Sequence, residues 1–263
     1  MPYTLIYLKC NIPCHNSPFL IIEQPQILPS LFDPQCFTSS KEEILRVIVR
    51  HCTYSNASQG KQRPKDFNRE LLFKHLLKSL ESIPHTLIVL LDKKTEDPRH
   101  FVQDYPVRIE CGALGNEAQS FLKALDIART EDWGNDTIVF LEDDYAVAPL
   151  WNFFVEEGLK FADYVSLYDH PDKYSPAYAQ VPCILYKGLR KHWRTTPSTT
   201  NSYACKRSTL LQDFAIHTQF SKNTLITNDH EKFLELWNSK RSLVTCIPSA
   251  WSHEEINMNV SIV

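Results

Sequence analysis

Apolar positions along this chain gather in short unbroken runs, and between several of those runs they recur every third or fourth residue. Short apolar runs bounded by polar breaks predict strands buried on both faces, whereas the 3.6-residue rhythm predicts helices. Ile44 to Val49 predicts a first central strand, followed by a polar loop from His51 to Arg63. Phe67, Leu71, Leu72, His75, Leu76 and Leu80 predict a helix that Pro84 ends. Thr86 to Leu91 predicts a second strand ending at Asp92, and Val107 to Glu110 a third. Phe121, Leu122, Leu125 and Ile127 place a helix over Asn116 to Ala128, and Thr137 to Leu141 predicts a fourth strand. Strands separated by helices of this length imply right-handed crossovers, and so an α/β domain with a mostly parallel sheet flanked by helices.

The second half carries the pattern less clearly. Tyr164 to Tyr168 predicts a strand, residues 174–202 mix aromatic, Pro, Ser and Thr residues with weak periodicity, and Phe233 to Trp237 predicts a short helix. Leu243 to Ile247 predicts a last strand before Trp251 and His253. A loop-rich stretch such as 174–202 is where a binding pocket is commonly built. Residues 1–40 read as a Pro-rich extension packed on a main domain spanning 41–263.

Charge and cysteine content narrow the classes. With 28 basic against 31 acidic residues, nothing points to a nucleic-acid footprint. No 18-residue apolar run exists, so no transmembrane segment is expected. Eight scattered cysteines, several inside apolar runs, favour a reducing compartment, and the chain is expected to be cytoplasmic. Cys10, Cys14, His15 and Cys36 have poor spacing for structural zinc. Three glycosylation sequons, at Asn56, Asn135 and Asn259, have no meaning in a cytosol.

The chemistry concentrates in Thr137-Ile138-Val139-Phe140-Leu141-Glu142-Asp143-Asp144-Tyr145. Three adjacent carboxylates repel one another, so folding alone gives little reason to place them where a core strand emerges. A hard divalent cation gives one, because Mg²⁺ and Mn²⁺ prefer oxygen ligands and bridge to phosphates. Ligands of open α/β sheets bind beyond the carboxyl ends of strands. Strand, acidic triplet and turn therefore read as a metal–diphosphate site, with a solvated acidic loop as the alternative.

With these features in order, the chain resembles glycosyltransferases of the GT-A fold over roughly residues 44–254. The triplet Glu142-Asp143-Asp144 is similar to their Asp-x-Asp motif and to the Glu-Asp-Asp variant of one N-acetylglucosaminyltransferase group. FLEDDY and ADYVSLYDHPDKY also resemble bacterial and viral glycosyltransferase-like proteins. The resemblance implies a single GT-A-type domain with a nucleotide-binding N-terminal half and a loop-rich acceptor half. It implies transfer of a sugar, with inversion, from a nucleotide-sugar donor to a glycan, protein, lipid or small-molecule acceptor. The expected cofactor is Mn²⁺ or Mg²⁺, a Lewis acid on the leaving diphosphate.

The same resemblance assigns roles. Asp144 and His253 would ligate the metal, Glu142 would face the ribose, and Asp143 would orient the site. Asp92 would hold base or ribose, although an aspartate at a strand end is also an ordinary turn residue. Asn116, with Gln119, lies where the donor would pass, and Arg194 offers a fork-shaped cation for diphosphate. Asp229 would be the general base, with Glu231 as substitute; both also sit where acidic residues favour a helix N-terminus. His170 is a further candidate. Two rival classes stay open: a nucleotidyltransferase, which would share the carboxylates and metal but open with a basic phosphate loop after the first strand, and a metal-dependent hydrolase or non-enzymatic carbohydrate-binding module.

Overall fold

The computed structural model describes residues 20–21, 44–54, 58, 60–256, 258, 260 and 262. The Pro-rich extension, apart from residues 20–21, lies outside the described residues, as do Cys10, Cys14, His15, Cys36, Asn56 and Asn259. No helix among the described residues is long and apolar enough to cross a membrane.

The strands are β1 (Leu20–Ile21), β2 (Leu45–Cys52), β3 (His85–Asp92), β4 (Arg108–Gly112), β5 (Thr137–Glu142), β6 (Tyr145–Val147), β7 (Tyr164–Ser166), β8 (Ile184–Lys187), β9 (His192–Thr195), β10 (Tyr203–Lys206), β11 (Leu243–Ile247) and β12 (Trp251–His253). The helices are α1 (Arg69–Leu80), α2 (Glu117–Thr130), α3 (Trp151–Gly158), α4 (Arg207–Gln212), α5 (Phe214–Gln219) and α6 (Asp229–Asn238). Ten strands form one sheet in the order β1-β8-β9-β11-β7-β10-β5-β2-β3-β4, and β6 pairs with β12 in a separate antiparallel ribbon. The expected single α/β domain is what forms. Its first half, β4-β3-β2-β5, is wholly parallel, while the rest is mixed because β10 runs antiparallel to both β5 and β7.

Period-2 alternation builds two cores from the same strands. Val47, Val49, Leu87, Val89, Leu91, Val139 and Leu141 point to one face, where Phe73, Leu76 and Leu80 of α1 and Trp151, Phe154 and Val155 of α3 cover them. Ile48, Ile88, Leu90, Ile138 and Phe140 point to the other, under Phe121, Ala124 and Leu125 of α2 and Phe233 and Leu236 of α6. Asn68 caps α1 by accepting from the Leu71 N–H at 3.0 Å, and Asn116 caps α2 through the Gln119 N–H at 2.9 Å.

The chain order fixes where a ligand can bind. From β2 the chain moves outward through β3 to β4, then returns across β2 to lay β5 on its other side. The connections from β2 and β5 therefore leave in opposite directions. This topological switch point opens a crevice at the carboxyl ends of β2 and β5. Parallel register places Arg50 opposite Glu142 and Cys52 opposite Asp92 at that crevice.

Residues 174–202 differ from the expected open acceptor loop. They supply β8 and β9, which extend the sheet, and Trp193, Arg194, Thr196, Ser198 and Thr199 are buried. Helix α3 lacked a sequence signal, because Leu150, which precedes it, takes a left-handed conformation (φ 61°) with no side-chain cap. Trp151 anchors it by donating from Nε1 to Ser79 Oγ at 2.8 Å.

At the end of α3, Gly158 packs so closely that a Cβ would meet Trp193 at 2.7 Å and Val165 at 2.8 Å. Trp193 cannot yield freely, because its Nε1 donates to the buried Glu157 at 2.9 Å. Gly158→Ala should therefore destabilise the chain by about 1–3 kcal/mol, lowering the urea midpoint with an unchanged slope. An unshifted midpoint would mean that α3 moves away without loss.

Candidate functional site

The crevice is a cavity of about 270 Å³. Arg50, His51 and Cys52 at the end of β2 and Tyr54 just beyond it, Ser58 and Lys61 from the following loop, and Asp92 at the end of β3 line it, with Gly115 to Glu117 and Ser120 at α2. Glu142, Asp143 and Asp144 form its acidic wall, and Leu225 and Ile226, both largely exposed, form its rim.

Each carboxylate of the triplet already has a cation of the same chain. Arg50 is 6 % exposed and donates from Nη2 to Glu142 at 2.9 Å and from Nη1 to Glu117 at 2.7 Å. Arg69 Nε lies 3.2 Å from Asp143 Oδ2. Asp144 Oδ2 accepts from Lys61 Nζ at 3.0 Å and Arg63 Nη2 at 2.8 Å, with His253 Nε2 at 3.1 Å. Burial pushes Glu142 and Asp143 above the usual carboxylate range against the pull of Arg50 and Arg69. Burial acts the same way on Asp144, but its contact with His253 and the charges of Lys61 and Arg63 outweigh it and hold Asp144 well below that range.

Strand pairing explains how residues 109 positions apart meet at Asp144. The β6–β12 ribbon pairs Tyr145 with His253, and their rings stack at 5.0 Å. The loop after β2 is stitched to the same ribbon's exit: Arg63 donates to the Glu254 carbonyl at 2.7 Å, and the Ile256 N–H to the Gln62 carbonyl at 2.8 Å.

This donor set does not fit a resident divalent ion as it stands. Among the described residues no group of three or more His, Cys, Asp or Glu side chains is placed to hold a metal. An ion of charge two at about 4 Å from Lys61 and Arg63 would feel roughly 8 kcal/mol of repulsion from each at an effective dielectric of 20. Asp144 at the same range offsets one of the two. The expectation that Asp144 and His253 carry Mn²⁺ or Mg²⁺ thus meets a site whose carboxylate is already shared by protein cations.

The remaining expected residues divide. Asp92 lines the cavity, and its carboxylate accepts from the Leu114 N–H at 2.7 Å and the Gly115 N–H at 3.0 Å, fixing the turn in which Gly115 takes φ 84°. Asn116 lines the cavity as the cap of α2. Arg194 is elsewhere: it is not among the cavity-lining residues and donates from Nε to Asp169 at 3.0 Å. His170 caps the short 3₁₀ turn Pro171–Tyr174 through the Asp172 N–H. Glu231 is exposed on the outer side of α6. Asp229 is half-buried and outside the cavity lining, yet feels it: burial pushes its carboxyl up to about 6 despite Lys232, and the charges of Glu142 and Glu117 add to the rise.

Three residues carry weight that the sequence did not reveal. Glu117 receives Arg50, the Asn201 amide at 3.1 Å and the Thr227 N–H at 2.7 Å, and so joins the cavity floor to the loop before α6. Its only signal was an acidic residue in the first turn of a helix. Lys232 is fully buried, with Nζ 4.3 Å from the Phe121 ring centroid, and donates to Asn201 Oδ1. Burial depresses it to about 8. His51 sits 5.3 Å from Phe73 and 5.6 Å from Phe101, ring centroid to centroid, and burial lowers it to about 3, so it is neutral at physiological pH. Neither of its ring nitrogens finds a hydrogen-bond partner among the described residues.

No protein-family model matches the chain, and no curated protein matches it. The resemblance to GT-A glycosyltransferases therefore has no sequence-family support. Solved structures similar to the chain include a nucleotidyl transferase from Methanothermobacter thermautotroptrophicus, 10 % identical, covering 77 % of this chain and 86 % of that one at a TM-score of 0.46. A 4-diphosphocytidyl-2C-methyl-D-erythritol synthase from Anaerococcus prevotii is 11 % identical, covering 78 % and 88 % at 0.44. A CMP:2-keto-3-deoxy-manno-octonic acid synthetase solved with CTP is 12 % identical, covering 79 % and 92 % at 0.45. At TM-scores below 0.5 these likenesses carry no argument about chemistry, which rests on the cavity.

The bridge made by Arg50 is the first part of the cavity to test. Arg50→Met leaves the half-buried Glu117 and Glu142 without their cation, which should cost up to about 3–5 kcal/mol, the figure for a fully buried pair. Adding Glu117→Gln should recover part of that loss in the same denaturation experiment. A single variant as stable as wild type would show that the bridge does not hold the crevice together.

Proposed function

We propose that this chain is a nucleotide-dependent transferase that binds the phosphates of its nucleotide in the crevice between β2 and β5. The observation that carries this reading is the coincidence of the switch point with a cavity where cations and carboxylates face each other. Arg50 and Lys61 supply positive charge at the wall of that cavity. Asp92 holds the turn before α2 at the cavity wall through the Leu114 and Gly115 N–H groups.

Of the two chemistries such a crevice admits, the basic segment after the first strand favours nucleotidyl transfer. Lys61, Arg63 and Arg69 all converge on the triplet, where cations neutralise developing phosphate charge. An acceptor oxygen would attack the α-phosphorus of a nucleoside triphosphate and pyrophosphate would leave. Asp229 supports glycosyl transfer as a second reading. A carboxyl raised to about 6 beside Glu142 and Glu117 suits a general base taking the acceptor hydroxyl proton while the bond from anomeric carbon to diphosphate breaks.

Calorimetry with CTP, UTP and UDP-sugars, followed by ³¹P NMR of turnover mixtures, separates the readings. Triphosphate binding with pyrophosphate release supports nucleotidyl transfer. Release of nucleoside diphosphate from a nucleotide sugar supports glycosyl transfer. In that second case the rate should rise with pH through about 6, since only deprotonated Asp229 accepts a proton. Asp229→Asn should then lower turnover about 10²- to 10⁴-fold and remove that limb. A chain that binds none of these nucleotides is not a nucleotide-dependent transferase.

A further inference from the structure

We infer that Lys61 is the resident cation of this site, seated where a divalent ion would otherwise sit, so that phosphate binding here needs no metal. The second half of the inference rests on the nucleotide reading above; the first half does not.

The ammonium of Lys61 lies 3.0 Å from Asp144 Oδ2, 3.0 Å from His253 Nε2 and 3.8 Å from Glu255 Oε2. Aspartate, histidine and glutamate are the residue types that bind Mn²⁺ and related ions. Here they surround one side-chain nitrogen at hydrogen-bond and ion-pair distances, longer than the roughly 2.0–2.6 Å of metal–ligand bonds. A compact ammonium with three donors suits such a position.

The seat is built rather than incidental. The Asp144 side chain is 5 % exposed and that of Lys61 25 %. The loop that carries Lys61 is tied to the segment just beyond β12, which carries His253: the Gln62 carbonyl accepts from the Ile256 N–H, and the Arg63 side chain donates to the Glu254 carbonyl. Asp144 and Glu254 are joined as well, through the Glu254 N–H and the Asp144 carbonyl at 2.8 Å. Lys61 also lines the cavity, so the charge that balances Asp144 is presented to whatever the cavity holds. An internal cation of this kind differs from a metal in one testable respect: it cannot be chelated away.

Removing the ammonium should turn the seat into a metal site. Mn²⁺ uptake, read as loss of the free-ion EPR signal, needs no substrate and no turnover. Wild type should take up no Mn²⁺ beyond nonspecific background, and Lys61→Arg, which keeps the charge, should behave the same. Lys61→Ala, with its fold checked by circular dichroism, should take up about one equivalent, as should Lys61→Ala combined with Arg63→Met. Adding His253→Ala should reverse that uptake at least tenfold. One equivalent bound by wild type and lost in Asp144→Asn would overturn the inference, and so would a folded Lys61→Ala and a folded double variant that both take up none. Calorimetry of wild type with CTP or UDP in EDTA, compared with Mn²⁺, tests the second half. Affinities within twofold support it, and a tenfold or larger loss in EDTA overturns it. If no nucleotide binds under either condition, the nucleotide reading fails, while the Mn²⁺ experiment still decides the role of Lys61.

Discussion

Three consecutive carboxylates at the end of a buried strand are tolerable only if something opposes their charge, and in this chain the opposing charges are its own. Glu142 has Arg50, Asp143 has Arg69, and Asp144 has Lys61 and Arg63. Those four cations come from β2, from the loop after it and from the start of α1, so meeting the triplet fixes the path of the chain across the mouth of the sheet. Buried ion pairs gain little net stability over apolar packing, but losing one partner is costly. The triplet therefore acts mainly to specify which segments converge on the crevice.

That convergence links the fold to its candidate chemistry. The parallel half of the sheet creates the switch point, register puts Arg50 beside Glu142, and the bridge from Arg50 to Glu117 sets the start of α2 against the cavity. From Glu117 the network continues through Asn201 to Lys232 and through Thr227 to the segment before α6. Asp229, half-buried, and Lys232, fully buried, are perturbed in opposite senses, up to about 6 and down to about 8, because loss of solvent disfavours the charged form of each and their neighbours do not fully compensate. Perturbed groups beside a cavity are where function is expected.

Much of the parallel half of the sheet was legible in the sequence. Buried parallel strands are continuous apolar runs, and β2, β3, β4 and β5 and helices α1 and α2 fall within a few residues of where periodicity put them. Asn116 and Asp92 were readable as cap and turn residues, and both serve as such while lining the cavity. The second half was less legible because its strands are short and its partners distant: β9 pairs with β11 across about fifty residues, and β12 with β6 across about a hundred. Arg194 looked like a free fork in a Thr-rich loop, yet in three dimensions it is spoken for by Asp169. The cations opposite the triplet escaped notice for a related reason. Lys61, Arg63 and Arg69 sit in an ordinary polar stretch, and only the tertiary contact with Asp143 and Asp144 gives them a role.

On the proposed reading, this crevice holds nucleotide phosphate against the chain's own cations. A crystal structure of the full chain grown with CTP or UDP in the presence of Mn²⁺ tests it most directly. Phosphate density is expected beside Lys61 at the ends of β2 and β5, with Asp144 still bonded to Lys61 and Arg63. Anomalous density for Mn²⁺ on Asp144 with Lys61 turned away, or nucleotide bound elsewhere on the sheet, would contradict it.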